Sequence, residues 1–144
     1  MKQLGIAIAI ASHAFRKKVD KGGQPYILHC LRVMNAVRTE SVHVQCAAVL
    51  HDLLEDCPET WDILRLARNG FSEDTIRMVD LLTHRDDEPY EKYIKRIASN
   101  LGATAIKKAD LRDNSDITRL KGLTKKDLDR IEKYHRAYTY LSKL

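Results

Sequence analysis

Ser41-Val42-His43-Val44-Gln45-Cys46-Ala47-Ala48-Val49-Leu50-His51-Asp52-Leu53-Leu54-Glu55-Asp56 is the stretch whose reading decides the fold. Ser41 is a preferred helix N-cap, and the residues after it read as one helix running to Asp56. Ala47, Ala48, Val49, Leu50, Leu53 and Leu54 surround the His51-Asp52 pair, so this helix is mostly buried. Neighbouring helical residues point about 100° apart, which lets His51 and Asp52 share one edge. Residues four apart stack, placing Glu55 over His51 and Asp56 over Asp52. Three carboxylates crowded beside an imidazole in an apolar helix repel one another and are costly to bury without a cation. The pattern is that of a metallohydrolase.

Two other segments complete the constellation. Arg16 to Lys21 is a basic run leading through Gly22-Gly23 into Pro25-Tyr26-Ile27-Leu28-His29. Pro25 suits the first position of a helix, where its missing N–H is not needed. His29 then lies one turn in and faces inward with Tyr26 and Val33. Lys21, in the glycine-containing loop before His29, reads as a phosphate clamp. Farther on, Lys107 to Asn114 places Asp110 and Asn114 four apart on one face, with Leu111 on the buried side. His29, His51, Asp52 and Asp110 are the candidate metal ligands. Glu55 and Asp56 are spare carboxylates, suited to activating water or to orienting His51. His13, His43, His84 and His135 have no carboxylate at ligand spacing and read as packed or solvated.

The remaining chain reads as helices throughout. Gln3–Lys17 and Pro25–Thr39 come first, followed by the helix from Ser41 to Asp56. Glu59 or Thr60 opens a short helix to Arg68, which Asn69-Gly70 stops. Ser72 with Glu73-Asp74 opens another to about His84, and Pro89 opens the next, through Ser99. A helix over 103–114 carries Asp110, and Thr124 with Asp127 forms a capping box for a last helix to Ser142. Valine and isoleucine never alternate in a strand-like run outside these patterns. The expected architecture is a compact all-α bundle of about seven to eight helices around one metal site. The 144 residues suit a single domain, 1–144.

At this point the chain resembles a known family. The ordered set His29, His51-Asp52 and Asp110 is similar to the ligand pattern of the HD-domain metal-dependent phosphohydrolases. Lys21 with Pro25-Tyr26-Ile27, Glu55-Asp56, Leu81-Leu82-Thr83 and Lys108-Ala109-Asp110-Leu111 with Asn114 extend it. With these, the likeness is closest to the hydrolase domain of RelA/SpoT-type enzymes and to the small single-domain alarmone hydrolases. The resemblance implies one divalent metal, usually manganese, held by His29, His51, Asp52 and Asp110. It implies that Glu55 and Asp56 polarise the attacking water and that Lys21 and Asn114 contact substrate. Arg130 and Tyr134 repeat an Arg-x-x-x-Tyr spacing that in the family reaches the nucleotide. The implied reaction removes the 3′-pyrophosphate of (p)ppGpp, leaving GDP or GTP. The chain departs from the family pattern at Asp20, where arginine is usual, and at Cys30 and Cys57, where proline and threonine are usual. An anion at position 20 is expected to weaken a polyphosphate contact unless Lys17 or Lys18 compensates.

Composition narrows the alternatives. The net charge of +5 favours anionic partners, and nucleotides, nucleic acid and acidic lipids all qualify; the resemblance implies a small-molecule nucleotide. The basic residues are dispersed apart from Arg16–Lys21 and Lys121–Arg130, the second of which also reads as a solvated helix face, and nucleic acid is not the expected partner. Cys30, Cys46 and Cys57 have no zinc-knuckle or disulfide spacing and fit free thiols in a cytoplasmic protein. The apolar run from Leu4, after Met1-Lys2, continues at helical spacing into Ala14 and Phe15, so it reads as a core helix and not a secretory leader. No stretch approaches the roughly 20 apolar residues of a membrane span. Nitrogen ligands argue against a magnesium-only site and leave manganese first, with iron, cobalt, nickel or zinc compatible. Two rivals remain. One is an HD-type nucleotide phosphomonoesterase or phosphodiesterase; the other is a basic binding module without catalysis. Oligomeric state is not encoded in any feature of the chain.

Overall fold

A computed structural model describes residues 2–144; Met1, on which the leader reading began, lies outside them. Among the described residues the structure is helical, and its single β feature is an isolated bridge between Val19 and Pro25. The elements are α1 (Lys2–Ala14), α2 (Ile27–Ala36), α3 (Val42–Leu50), α4 (Leu53–Asp56) and α5 (Ile63–Arg68). They continue with α6 (Glu73–Leu82), α7 (Tyr90–Ile97), α8 (Leu101–Asn114), a short 3-10 turn (Ile117–Arg119) and α9 (Lys125–Ser142). No helix among these residues is long and apolar enough to cross a membrane.

α3 is the axle of the bundle. Val44 and the run from Cys46 to Leu50 are all buried, so α3 is apolar on every side and packs against α1, α2, α6 and α8. Leu50 and Leu53 are fully buried, each contributing about 1.5–3 kcal/mol of burial free energy. The predicted caps form. Ser41 accepts from the Val44 amide, Ser72 from Thr75, and Thr124 and Asp127 make a reciprocal capping box.

α1 and α2 each end three residues earlier than the sequence reading, at Ala14 and Ala36, and other boundaries differ as well. α2 begins at Ile27 with Tyr26 at its N-cap, because Pro25 is held in the bridge to Val19. α5 begins at Ile63, where Asp62 and not Glu59 or Thr60 accepts from a first-turn amide, that of Arg65. α8 begins at Leu101, capped by Asn100. The expected helix from Ser41 to Asp56 is interrupted at His51-Asp52, which divides it into α3 and α4. In an unbroken helix the Ala48 carbonyl would accept from the Asp52 amide. Here it accepts from the His51 ring Nδ1 at 2.7 Å and from the His51 amide at 3.4 Å. Asp52 sits at φ −98°, ψ 0°, the bridge region common in active sites.

Candidate metal centre

The interruption sets the geometry of the site. Because Nδ1 of His51 donates to the Ala48 carbonyl, its Nε2 carries the lone pair and faces inward. His29, one turn into α2, donates from Nδ1 to Asp113 Oδ2 at 2.6 Å, which leaves its Nε2 facing the same point. His29 Nε2 lies 3.0 Å from Asp110 Oδ1 and 3.8 Å from Asp52 Oδ2. His51 Nε2 lies 3.1 Å from Asp52 Oδ2 and 3.3 Å from Asp110 Oδ1. Single donor atoms of His29, His51 and Asp52 all fall within 4.8 Å of one another. All four sequence-predicted ligands therefore converge, from α2, the α3–α4 junction and α8.

Both Nε2 atoms are buried and have no hydrogen-bond partner, although carboxylate oxygens lie close by. A buried nitrogen lone pair facing two carboxylates calls for a cation between them. The electrostatics show the same demand for positive charge between these groups. Burial alone would lower the His51 pKa, but Asp52 and Asp110 outweigh it and raise it well above the usual imidazole value. Burial would raise Asp52, but His51 overrides it and takes the carboxyl down to about 2. Two imidazoles and two carboxylates balance one divalent ion, and the donor set fits one.

The ligands are braced by neighbours. Tyr26 donates its hydroxyl to Asp52 Oδ2. Asp110 faces the histidines with Oδ1 and takes the buried Lys107 ammonium on Oδ2 at 2.9 Å. Asn114, expected at the substrate, donates to Asp110 Oδ1 at 2.9 Å while still lining the adjacent cleft. His51, for which Glu55 and Asp56 were candidate orienting acids, is oriented by its own helix carbonyl instead.

That cleft, about 560 Å³, is where the remaining predicted residues meet. Lys21, Glu55, Asp56, Asn114, Arg130 and Tyr134 all line it. Glu55 accepts from the His84 amide at 2.8 Å, and Asp56 accepts from Lys18 at 2.6 Å. Desolvation by the cleft walls raises the pKa of both carboxyls. Arg130 is paired to Asp127 beside the α9 capping box. Lys21 is the lining lysine with no carboxylate within bonding distance among the described residues.

Asp20, the anion expected to disturb a phosphate contact, also lines the cleft, but its Oδ1 is turned into its own loop. It accepts there from the Gly22 and Gln24 amides, each at 2.9 Å. Gly22 has to be glycine, since a Cβ would stand 2.6 Å from the Arg119 carbonyl oxygen. Arg119 was not named from sequence, while Lys18 was named only as a candidate compensating cation and Tyr26 only as an inward-facing part of the matched motif. Arg119 is remote in the chain from the other lining residues of the loop after α1 and joins them only in the folded cleft wall, so spacing carried no signal for it.

No family model matches the sequence. The chain is 28% identical over 124 residues to the bifunctional (p)ppGpp synthase/hydrolase SpoT of Escherichia coli (strain K12). That match covers 79% of this chain and 18% of SpoT. The guanosine-3′,5′-bis(diphosphate) 3′-pyrophosphohydrolases of Escherichia coli O157:H7 and Shigella flexneri match at the same identity and coverage. The chain thus spans less than a fifth of the length of these curated relatives. Among solved structures, a metazoan ortholog of SpoT, described as hydrolysing ppGpp and acting in starvation responses, superposes with a TM-score of 0.79. The identity there is 19%, over 98% of this chain and 85% of that one. The likeness to HD-type (p)ppGpp hydrolases holds in sequence, and the all-α fold is that of a helical hydrolase from this group.

Proposed function

We propose that the chain is a divalent-metal-dependent nucleotide phosphohydrolase that removes the 3′-pyrophosphate of (p)ppGpp. The observation that carries this reading is the pair of buried, unpartnered Nε2 atoms of His29 and His51, converging with Asp52 and Asp110 beside the cleft. The names of the curated relatives support the choice of substrate.

Bound at these four donors, a divalent ion supplies Lewis-acid polarisation and makes water a usable nucleophile at neutral pH. Manganese suits the mixed nitrogen and oxygen set best. The chain's own residues do the rest. Glu55, with Oε1 anchored on the His84 amide, offers Oε2 to take the proton from the attacking water, and Asp56 is the alternative acceptor. Their raised pKa values bring both closer to the pH at which a general base works best. Lys21 offsets charge on the phosphate, while Arg130 and Tyr134 on α9 form the wall for the nucleoside. Asp20 keeps one carboxylate oxygen on the loop amides, which lessens its repulsion of a bound phosphate. The three free thiols fit a reducing, cytoplasmic setting.

The test is product analysis by anion-exchange chromatography after incubation with manganese and ppGpp, pppGpp, nucleoside monophosphates or a cyclic nucleotide. Pyrophosphate released from ppGpp by wild type and not by Asp52→Ala is the expected result. Orthophosphate from another nucleotide would keep the chemistry and move the substrate to the phosphoesterase reading. Metal-independent nucleotide binding without turnover would overturn the enzyme reading.

A further inference from the structure

We infer that Asp113 is a positioning residue for the metal centre, fixing the tautomer and ring orientation of His29. The inference rests on the reading of His29 as a ligand. The two histidines present the same nitrogen to the site but are anchored differently. His51 Nδ1 donates to a neutral backbone carbonyl, that of Ala48, at 2.7 Å. His29 Nδ1 donates to a carboxylate, Asp113 Oδ2, at 2.6 Å. A charged acceptor makes the stronger hydrogen bond and increases the basicity of the opposite nitrogen.

Asp113 is itself held in place. Its side chain is only 12% exposed. Arg32 donates to Oδ1 from Nε at 2.7 Å and to Oδ2 from Nη2 at 3.1 Å. Arg119 reaches both oxygens at 3.4 Å and the Asp113 carbonyl at 2.5 Å. The arrangement has a simple register. His29 and Arg32 are three apart on α2, Asp110 and Asp113 are three apart on α8, and the two pairs meet face to face. One turn of α8 thus supplies both a candidate ligand and the anchor of a second ligand. A ring pivoting about Cβ without that anchor would lose the aim of Nε2 and could carry its proton there, where it cannot ligate.

The experiment measures manganese binding by isothermal titration calorimetry, with thermal unfolding in parallel, for wild type, Asp113→Ala, Asp113→Asn and Arg32→Met. Histidine nitrogen NMR of the metal-free proteins reports the His29 tautomer. Asp113→Ala is expected to weaken manganese binding by about 10–100-fold and to lose the single Nδ1–H tautomer. Asp113→Asn keeps an acceptor of the same shape and should lose less, so it carries the test if the alanine variant does not fold. Arg32→Met removes a clamp on Asp113 without removing the His29 bond; it should lower the unfolding temperature and leave manganese affinity within threefold. Manganese affinity of Asp113→Ala or Asp113→Asn within twofold of wild type, with the tautomer unchanged, overturns the inference. A wild-type protein that binds no divalent metal overturns the metal-centre reading itself, a separate outcome.

Discussion

Glu55 and His51 show at the scale of single residues what the order of side chains specifies and what it does not. The four candidate ligands and the acids Glu55 and Asp56 were identifiable because imidazoles and carboxylates inside an apolar helix need a cation to justify them, Lys21 stood out by its glycine-containing loop, and Asn114, Arg130 and Tyr134 followed from the family resemblance. Their individual bonds were not identifiable, because each is completed by a group remote in the chain. Glu55 ends on the His84 amide, Asp56 on Lys18, and His29 on Asp113. The Glu55 bond leads to a prediction. As the water-activating base it must be unprotonated, and the cleft holds its pKa above the ordinary value of about 4.3. Activity should therefore fall as pH drops through a value above that range. Glu55→Gln should lower kcat by about 10²–10⁴-fold and remove this acid limb. Steady-state kinetics between pH 4 and 8 would check it, and a variant within threefold of wild type would transfer the role to Asp56.

At the scale of elements, the start signals were the most readable part of the chain. Ser41, Ser72 and the Thr124–Asp127 box bond to nearby amides, so local sequence is enough to place them. The break between α3 and α4 was not readable, since it depends on the His51 ring turning back to Ala48 within a packed core. The connection from α6 to α7 is likewise set by a distant knot. Arg96 on α7 donates to Glu88 at 2.8 Å and to the carbonyls of Leu81 and Thr83 at 3.2 and 3.0 Å. That knot shapes the loop whose His84 amide holds Glu55. Hydrogen bonds from Arg96 depress the Glu88 carboxyl to about 2. A folded pKa below the unfolded one contributes stability that is present above about pH 4.3 and is lost as pH falls toward 2. Glu88→Gln should accordingly unfold at lower urea than wild type at pH 7, with the difference shrinking at pH 3. A gap of equal size at both pH values would show that the ion pair contributes nothing.

At the scale of the whole molecule, the candidate centre joins α2, the α3–α4 junction and α8, so a bound metal acts as a clasp across the bundle. Manganese at about 100 times its Kd should raise stability by about 2.7 kcal/mol, which for a chain of this size is a shift of roughly 5–10 °C in Tm. Differential scanning fluorimetry with manganese and with chelator would measure it, and Asp52→Ala should show little of the shift. An unchanged Tm in wild type would mean that the four donors do not hold the ion. The sequence by itself determined the helical class, most helix starts and the candidate ligands that the fold brings together. It could do so because hydrophobic periodicity, capping and the cost of buried charge are properties of local pattern. Only the tertiary structure decided which nitrogen each histidine presents, that Asp20 turns one carboxylate oxygen into its own loop, and that Asp113 and Arg119 stand beside the site. Those outcomes depend on contacts between residues far apart in the chain, which form only when α2, α8 and the loop after α1 close around α3.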